Sequence, residues 1–206
     1  MKIKKSPLYI IDYKRKIGTR EIRDRILIVC EGTKTEPNYF KKFPVNKEVV
    51  EVEIEGAGYV TDSLVEKAIE LKEEALLEKR PYNQVWCVFD RDSNPPQNFN
   101  RAIQLAHNHK IRVAYSNEAF ELWYVLHFNY HITGVNRDWY QQKLTSLLGE
   151  GYEKNNPHMY DKLKNKQLNA IKNAERLYQT YLEFTPERNN PSTTVHKLVQ
   201  ELNKYK

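Results

Sequence analysis

The sequence predicts an α/β fold, a mostly parallel four-stranded sheet flanked by helices with a helical C-terminal half packed on it. Three observations carry that prediction. Short apolar runs recur at 26–30, 49–54, 85–89 and 111–115. Helical segments separate them, and strands that alternate with helices build a parallel sheet with helices on its faces. Carboxylates close two of the runs: Glu31 follows ILIVC, and VWCVFDRD ends on Asp90 and Asp92. Ligands bind such sheets beyond the carboxyl ends of the strands, where these acids fall.

In chain order, residues 1–25 read as a basic arm in which Lys and Arg alternate with Tyr and Ile without clean periodicity. Residues 26–136 form the α/β core. Within it, 61–79 opens on Thr61 as a cap and sets Leu64, Val65, Ala68, Ile69, Leu71, Ala75 and Leu76 largely along one stripe. The shorter connection 98–109 offers Ala102, Ile103, Leu105 and Ala106 for burial. SNEAFELWYVLHF at 116–128 reads as a helix capped by Asn117 with acids in its first turn. Residues 137–206 form a helical extension of the same domain, with helices at 139–149, 158–183 and 192–205. Gly149, Gly151, the 155–157 break and TPERNNPS separate them.

The 40% apolar content excludes general disorder, and no run approaches the roughly 18 apolar residues that span a bilayer. The start MKIKKSPLYIIDYKRK lacks the apolar stretch and cleavage site of a secretory signal, and Cys30 and Cys87 sit inside apolar runs as small hydrophobes. A soluble cytoplasmic protein is the expectation. Charge is divided unevenly. Residues 1–25 hold nine Lys/Arg against three Asp/Glu, 26–136 hold twelve against sixteen, and 137–206 hold twelve against eight. An acidic centre between basic flanks suits a protein that grips a phosphate backbone and holds cations, although Lys-rich ends also serve simple solvation.

Acids brought together at strand mouths are costly unless a cation lies between them, and Mg²⁺ or Mn²⁺ is the expected one. If the strand continues through FDRD, Asp90 and Asp92 point the same way and share that cation. Glu31 precedes Gly32, which can start a tight turn, and the TKTE that follows begins a helix whose free N–H groups could receive a phosphate. Lys34 is a candidate phosphate contact or a solvated loop lysine. Glu36 either supports the site from behind or is structural, and the structural reading is favoured because it completes Thr33-x-x-Glu36, a capping box. Glu118 and Glu121 open the next helix near the same sheet edge; Glu118 is explained by the macrodipole, which leaves Glu121 as the better site candidate. Nucleic acid, if bound, would lie along Arg20, Arg23 and Arg25 of the arm, with Lys14, Arg15 and Lys16, and along Lys162, Lys164 and Lys166. Tyr and Trp among these residues favour a single-stranded or looped substrate.

EGTKTEPNYF at 31–40, FDRD at 89–92, SNEAFELWYVLHF at 116–128 and NPSTTVHKLV at 190–199 together resemble the RloB-like proteins, a group of Toprim-like metal-dependent nucleases. The resemblance runs from about residue 26 to 202. It implies a Toprim-like sheet, a catalytic and metal-binding Glu31, metal-binding Asp90 and Asp92, and a catalytic Glu121. The family's segment carries a Pro where this chain has Glu118, which sets Glu118 aside. The resemblance further implies bacterial antiphage defence by abortive infection, with a partner ATPase encoded nearby. In the C-terminal motif, Asn190, Ser192, Thr193, Thr194 and His196 either bind nucleic acid or are structural, with Ser192 read as the cap of the last helix.

The expectation is therefore a Mg²⁺-dependent phosphodiesterase acting on nucleic acid, with Glu31, Asp90, Asp92 and Glu121 at its centre. Two alternatives stand beside it. A non-catalytic nucleic-acid- or ATPase-binding subunit would use the acids as a structural cation site. A phosphatase of haloacid dehalogenase type would use FDRD as its nucleophile loop, yet the downstream acidic pair of that class is missing from the sequence.

Overall fold

The computed structural model describes residues 23–92, 94–183 and 185–206. Most of the expected arm, Arg20 included, lies outside the described residues. The elements run β1 (Asp24–Cys30), α1 (Thr35–Lys41), β2 (Val50–Gly56), α2 (Thr61–Leu77), β3 (Gln84–Asp90), α3 (Pro96–Asn108) and β4 (Arg112–Asn117). They continue with α4 (Glu121–Leu126), α5 (Arg137–Leu148), α6 (Met159–Leu163), α7 (Gln167–Thr180), β5 (Ser192–Thr193) and α8 (Val195–Asn203).

The four expected strands pair in parallel and the sheet order is β2-β1-β3-β4-β5. The runs of β1 and β3 form inner strands with both faces covered, while β2 lies at the sheet edge and is mostly half-buried. Ile26, Ile28, Cys30, Trp86 and Val88 face one core, built with Tyr39, Trp123, Tyr124 and Leu198. Leu27, Val29, Val85, Cys87 and Phe89 face the other, built with Leu64 and Ala68 of α2 and Phe99 and Ala102 of α3. Alternate residues thus feed opposite layers, as a pleated strand requires. Both cysteines are buried and unpaired.

The sheet has five strands rather than four. Ser192 does not cap the last helix: Ser192 and Thr193 add an antiparallel edge strand, paired with Asn117 and Ser116. Two threonines fasten it. The Thr193 hydroxyl and the Thr194 N–H both donate to the Tyr115 carbonyl, at 3.0 and 2.9 Å. The Thr194 hydroxyl donates to the Val113 carbonyl at 3.1 Å while accepting the Tyr115 N–H at 3.0 Å. The α8 helix begins only after this clamp.

Other boundaries shift for local reasons. Thr61 is the first residue of α2 and makes no capping bond. The expected helix 158–183 is broken by a 3-10 turn at Lys164–Lys166 between α6 and α7. Asn117 is no helix cap. It ends β4, and its buried side-chain amide donates to the Pro186 carbonyl at 3.0 Å. The helix after it starts later, at Glu121.

Candidate active site

Glu31 and Asp90 stand at the mouths of the adjacent central strands β1 and β3. The Glu31 N–H donates to the Val88 carbonyl at 2.9 Å, which extends the ladder one step past β1. In return, Glu31 Oε2 accepts the Asp90 N–H at 3.0 Å, so one carboxylate is oriented by the backbone of the other. Burial raises the Glu31 pKa; the Asp90 N–H pulls against that rise and the Asp92 charge adds to it.

Asp92 arrives by a different route from the one strand alternation predicts. The strand stops at Asp90, and Arg91 turns to donate its N–H to the Ser116 carbonyl at 2.8 Å. Asp92 then adopts φ +37° and donates its N–H to the Glu118 carbonyl at 2.9 Å. This left-handed conformation is one that Asp tolerates better than most residues. Turn geometry, and not the pleat, brings the two carboxylates to a common partner.

That partner is Arg137. Asn136 caps α5 by accepting the Trp139 N–H at 3.0 Å, which fixes where the helix begins and aims its first residue at the acids. The guanidinium lies 3.3 Å from Asp90 Oδ2 through Nη2 and 3.0 Å from Asp92 Oδ2 through Nη1. Burial works against the Arg137 charge, but Asp90, Asp92, Glu121 and Glu118 outweigh it and raise its pKa.

Glu36 belongs to this group and not to a capping box. The helix it sits on starts one residue later than Thr33-x-x-Glu36 requires, with Lys34 as a cap residue that makes no side-chain bond. The Glu36 side chain is buried beside Gly32, and its Oε2 has no hydrogen-bond partner. Desolvation pushes its carboxyl up to about 7, against a hydrogen bond from its own backbone N–H and with help from the Glu121 and Glu31 charges. Glu121, also buried, opens α4 and accepts a 3.1 Å hydrogen bond from the Tyr152 hydroxyl. The Asp90 carboxyl is held well above its usual range, first by desolvation and then by Glu36 and Glu121.

Glu31, Glu36, Asp90, Asp92 and Glu121 line one cleft of about 400 Å³ together with three cations, Lys34, Arg137 and Lys154. Glu118 does not line it. That residue occupies the loop before α4, where it is half-buried and neither caps nor opens a helix. Asn155, at φ +74°, ties the far wall to α1: its Oδ1 accepts from the Thr35 hydroxyl at 2.7 Å and its carbonyl from the Asn38 amide at 3.0 Å.

Of the expected nucleic-acid contacts among the described residues, Lys34 lines the cleft and the others do not. Arg25 is at the opposite end of β1, where it pairs with Glu53 and Glu51 and stacks 4.3 Å over the Tyr82 ring. Arg23 is exposed near the same end. Lys162 pairs with Glu150, Lys164 with Asp161 at 3.2 Å, and Lys166 lies 4.0 Å over the Phe128 ring. His196 is buried in α8 against the ring of Tyr178, with its pKa lowered to about 4 by burial; it is a core residue.

Sequence reasoning missed Arg137, Tyr152, Lys154 and Asn155. One signal was available for Arg137. A cation in a first helical turn opposes the macrodipole, so an Arg directly after an Asn cap implies an acid nearby to hold it.

Oxygen donors from several carboxylates suit a hard divalent cation, and two features fit one here. Glu36 Oε2 is buried without a partner, and the charge of Asp90 is opposed by its neighbours. Among the described residues, however, no three His, Cys, Asp or Glu side chains form a ready ligand set. The family model described as RloB-like protein matches residues 26–202. No curated protein and no solved structure matches the chain.

Proposed function

The chain belongs to the RloB-like family, and from that premise we propose that it is a Mg²⁺- or Mn²⁺-dependent phosphodiesterase with a Toprim-like active site. Its substrate is nucleic acid, RNA or a single-stranded or looped polymer, and its setting is antiphage defence by abortive infection. The observation that supports this reading most is the Glu31 to Asp90 link, which joins two acid-bearing strand mouths in a cleft that also holds Asp92, Glu36 and Glu121.

Glu31, Asp90 and Asp92 are the residues that would hold the metal. Held there, a divalent cation would lower the pKa of a bound water toward neutrality and offset charge on the leaving oxygen. The chain's own groups do the rest. Glu36, with a carboxyl that titrates near neutrality, holds a proton beside the reacting centre and can release it. Glu121 is kept in place by Tyr152. Lys34 and Lys154 stand at the rim, where a phosphate backbone would pass.

A second reading is favoured by one observation, the pairing of Arg137 with both aspartates, which already balances part of their charge. In that reading the protein is a non-catalytic nucleic-acid- or ATPase-binding subunit. Purified protein incubated with separate RNA and DNA pools in Mg²⁺, Mn²⁺ or EDTA distinguishes the two. Metal-dependent cleavage of one pool that disappears in a folded Asp90→Asn/Asp92→Asn variant supports the enzyme. Cleavage that survives both the variant and EDTA rules out this site.

A further inference from the structure

We propose that Arg137 is a built-in counter-ion which holds Asp90 and Asp92 until a phosphodiester draws it away, so that divalent cation and phosphate bind this cleft cooperatively. The inference rests on the metal reading above and deepens it by stating what controls metal loading.

The geometry is that of a replaceable partner. Arg137 does not form a bidentate fork on one carboxylate. Its two terminal nitrogens are divided between Asp90 and Asp92 at 3.3 and 3.0 Å, beyond the roughly 2.7 to 2.9 Å of the best charge-assisted pairs. Its Nε has no partner. The planar fork that matches a phosphate is thus spread over two acids with a donor idle. The side chain is 28% exposed and lines the cleft, so a ligand entering there reaches it. Its place at the start of α5 gives it no help from the helix, whose N-terminal dipole repels a cation. Among the described residues, the neighbouring acids are what retain it.

Two consequences follow from charge. With Arg137 on the aspartates, an incoming divalent cation must displace a cation already there. With Arg137 turned to a phosphate, Asp90 and Asp92 are left facing Glu31, Glu36 and Glu121 without it, and the cleft's demand for a metal rises. Binding linkage is reciprocal, so the metal in its turn releases the guanidinium for the phosphate. The device would keep the metal site poorly loaded until substrate arrives.

The test is Mn²⁺ binding to the full chain, followed by the free-Mn²⁺ electron paramagnetic resonance signal. Dimethyl phosphate is the phosphodiester probe, compared with acetate at equal ionic strength. Arg137→Gln is expected to bind Mn²⁺ about ten-fold more tightly than the wild type. Dimethyl phosphate is expected to tighten the wild-type Kd several-fold, acetate to leave it unchanged, and neither to affect Arg137→Gln. Arg137→Lys keeps the charge and loses the fork. It is expected to hold Mn²⁺ about as weakly as the wild type and to show little tightening with dimethyl phosphate, and it serves if the Gln variant does not fold. Equal Mn²⁺ affinity in wild type and Arg137→Gln, or tightening by phosphate that persists without Arg137, overturns the inference while leaving the metal reading intact. No Mn²⁺ binding in any form overturns both.

Discussion

Gly32 makes room for Glu36: a Cβ at position 32 would overlap Glu36 Oε2, so the residue after the first strand-end acid sets where a second acid can lie. Gly32→Ala is therefore expected to displace the Glu36 carboxylate while the fold persists, because the obstructed atom is the tip of a side chain. Metal-dependent cleavage should fall about ten-fold or more, to the level of Glu36→Gln, and the double variant should be no worse than either single one. Initial rates of the three variants, alongside circular dichroism, measure this. A fully active Gly32→Ala would show that the Glu36 position is irrelevant to the chemistry.

The raised carboxyl of Glu36 has a consequence for stability. A buried acid that titrates near 7 in the folded state and near 4.5 when unfolded binds more protons folded than unfolded between those values. Its contribution to stability is complete below pH 4.5 and is lost as pH rises through about 7. Glu36→Gln removes that dependence. The variant should gain on the wild type by about 1 to 3 kcal/mol between pH 5 and pH 8, read from urea unfolding at the two pH values. A constant difference would place Glu36 in water.

Lys34 and Lys154 face the cleft, whereas Lys162 and Lys164 are paired with acids outside it. Replacing the first two by Ala should weaken nucleic-acid binding across sequences and reduce the slope of log K against log salt by about one per lysine. The same change at Lys162 and Lys164 should leave the slope near its wild-type value. Fluorescence anisotropy in EDTA over a salt series separates the two pairs.

Thr194→Val tests the clamp on the sheet edge. The hydroxyl it removes serves Tyr115 N–H and the Val113 carbonyl at once, and the new side chain has nearly the same volume. Leaving the buried Tyr115 N–H and the partly buried Val113 carbonyl unpaired should cost about 1 to 3 kcal/mol and lower the melting temperature, with cleavage rates at low temperature unchanged. An unaltered melting temperature would mean that β5 is held by its backbone alone.

Strands β1 and β3 were legible because each is a continuous apolar run, buried on both faces and closed by an acid, whereas the edge strand β2 interleaves its Val and Ile with Glu and is half-buried. Glu31, Asp90 and Asp92 were legible for the same reason. β5 was not, since two residues carry no period, and Ser192 in front of an amphipathic stretch imitates a cap. Glu36 was misjudged through a spacing that fits a capping box while the helix starts one residue too late to use it. Asp92 reached its place through a turn whose φ no alternation rule foresees. Arg137, Tyr152 and Lys154 join the site from the far side of the chain, by packing that local pattern does not encode.

Strands β4 and β5 are hydrogen-bonded neighbours, yet 118–191 separates them in sequence. The described residues of that stretch form a single excursion that leaves the sheet and returns to the same rung. It brings Glu121, Arg137, Lys154 and Asn155 to one wall of the cleft, with Tyr152 behind Glu121 as its hydrogen-bond donor, while Glu31, Asp90 and Asp92 stay on the strand side. A change in the length of the excursion between its fixed ends would therefore move that wall, Glu121 and Arg137 with it, and leave the strand-end acids where the sheet holds them.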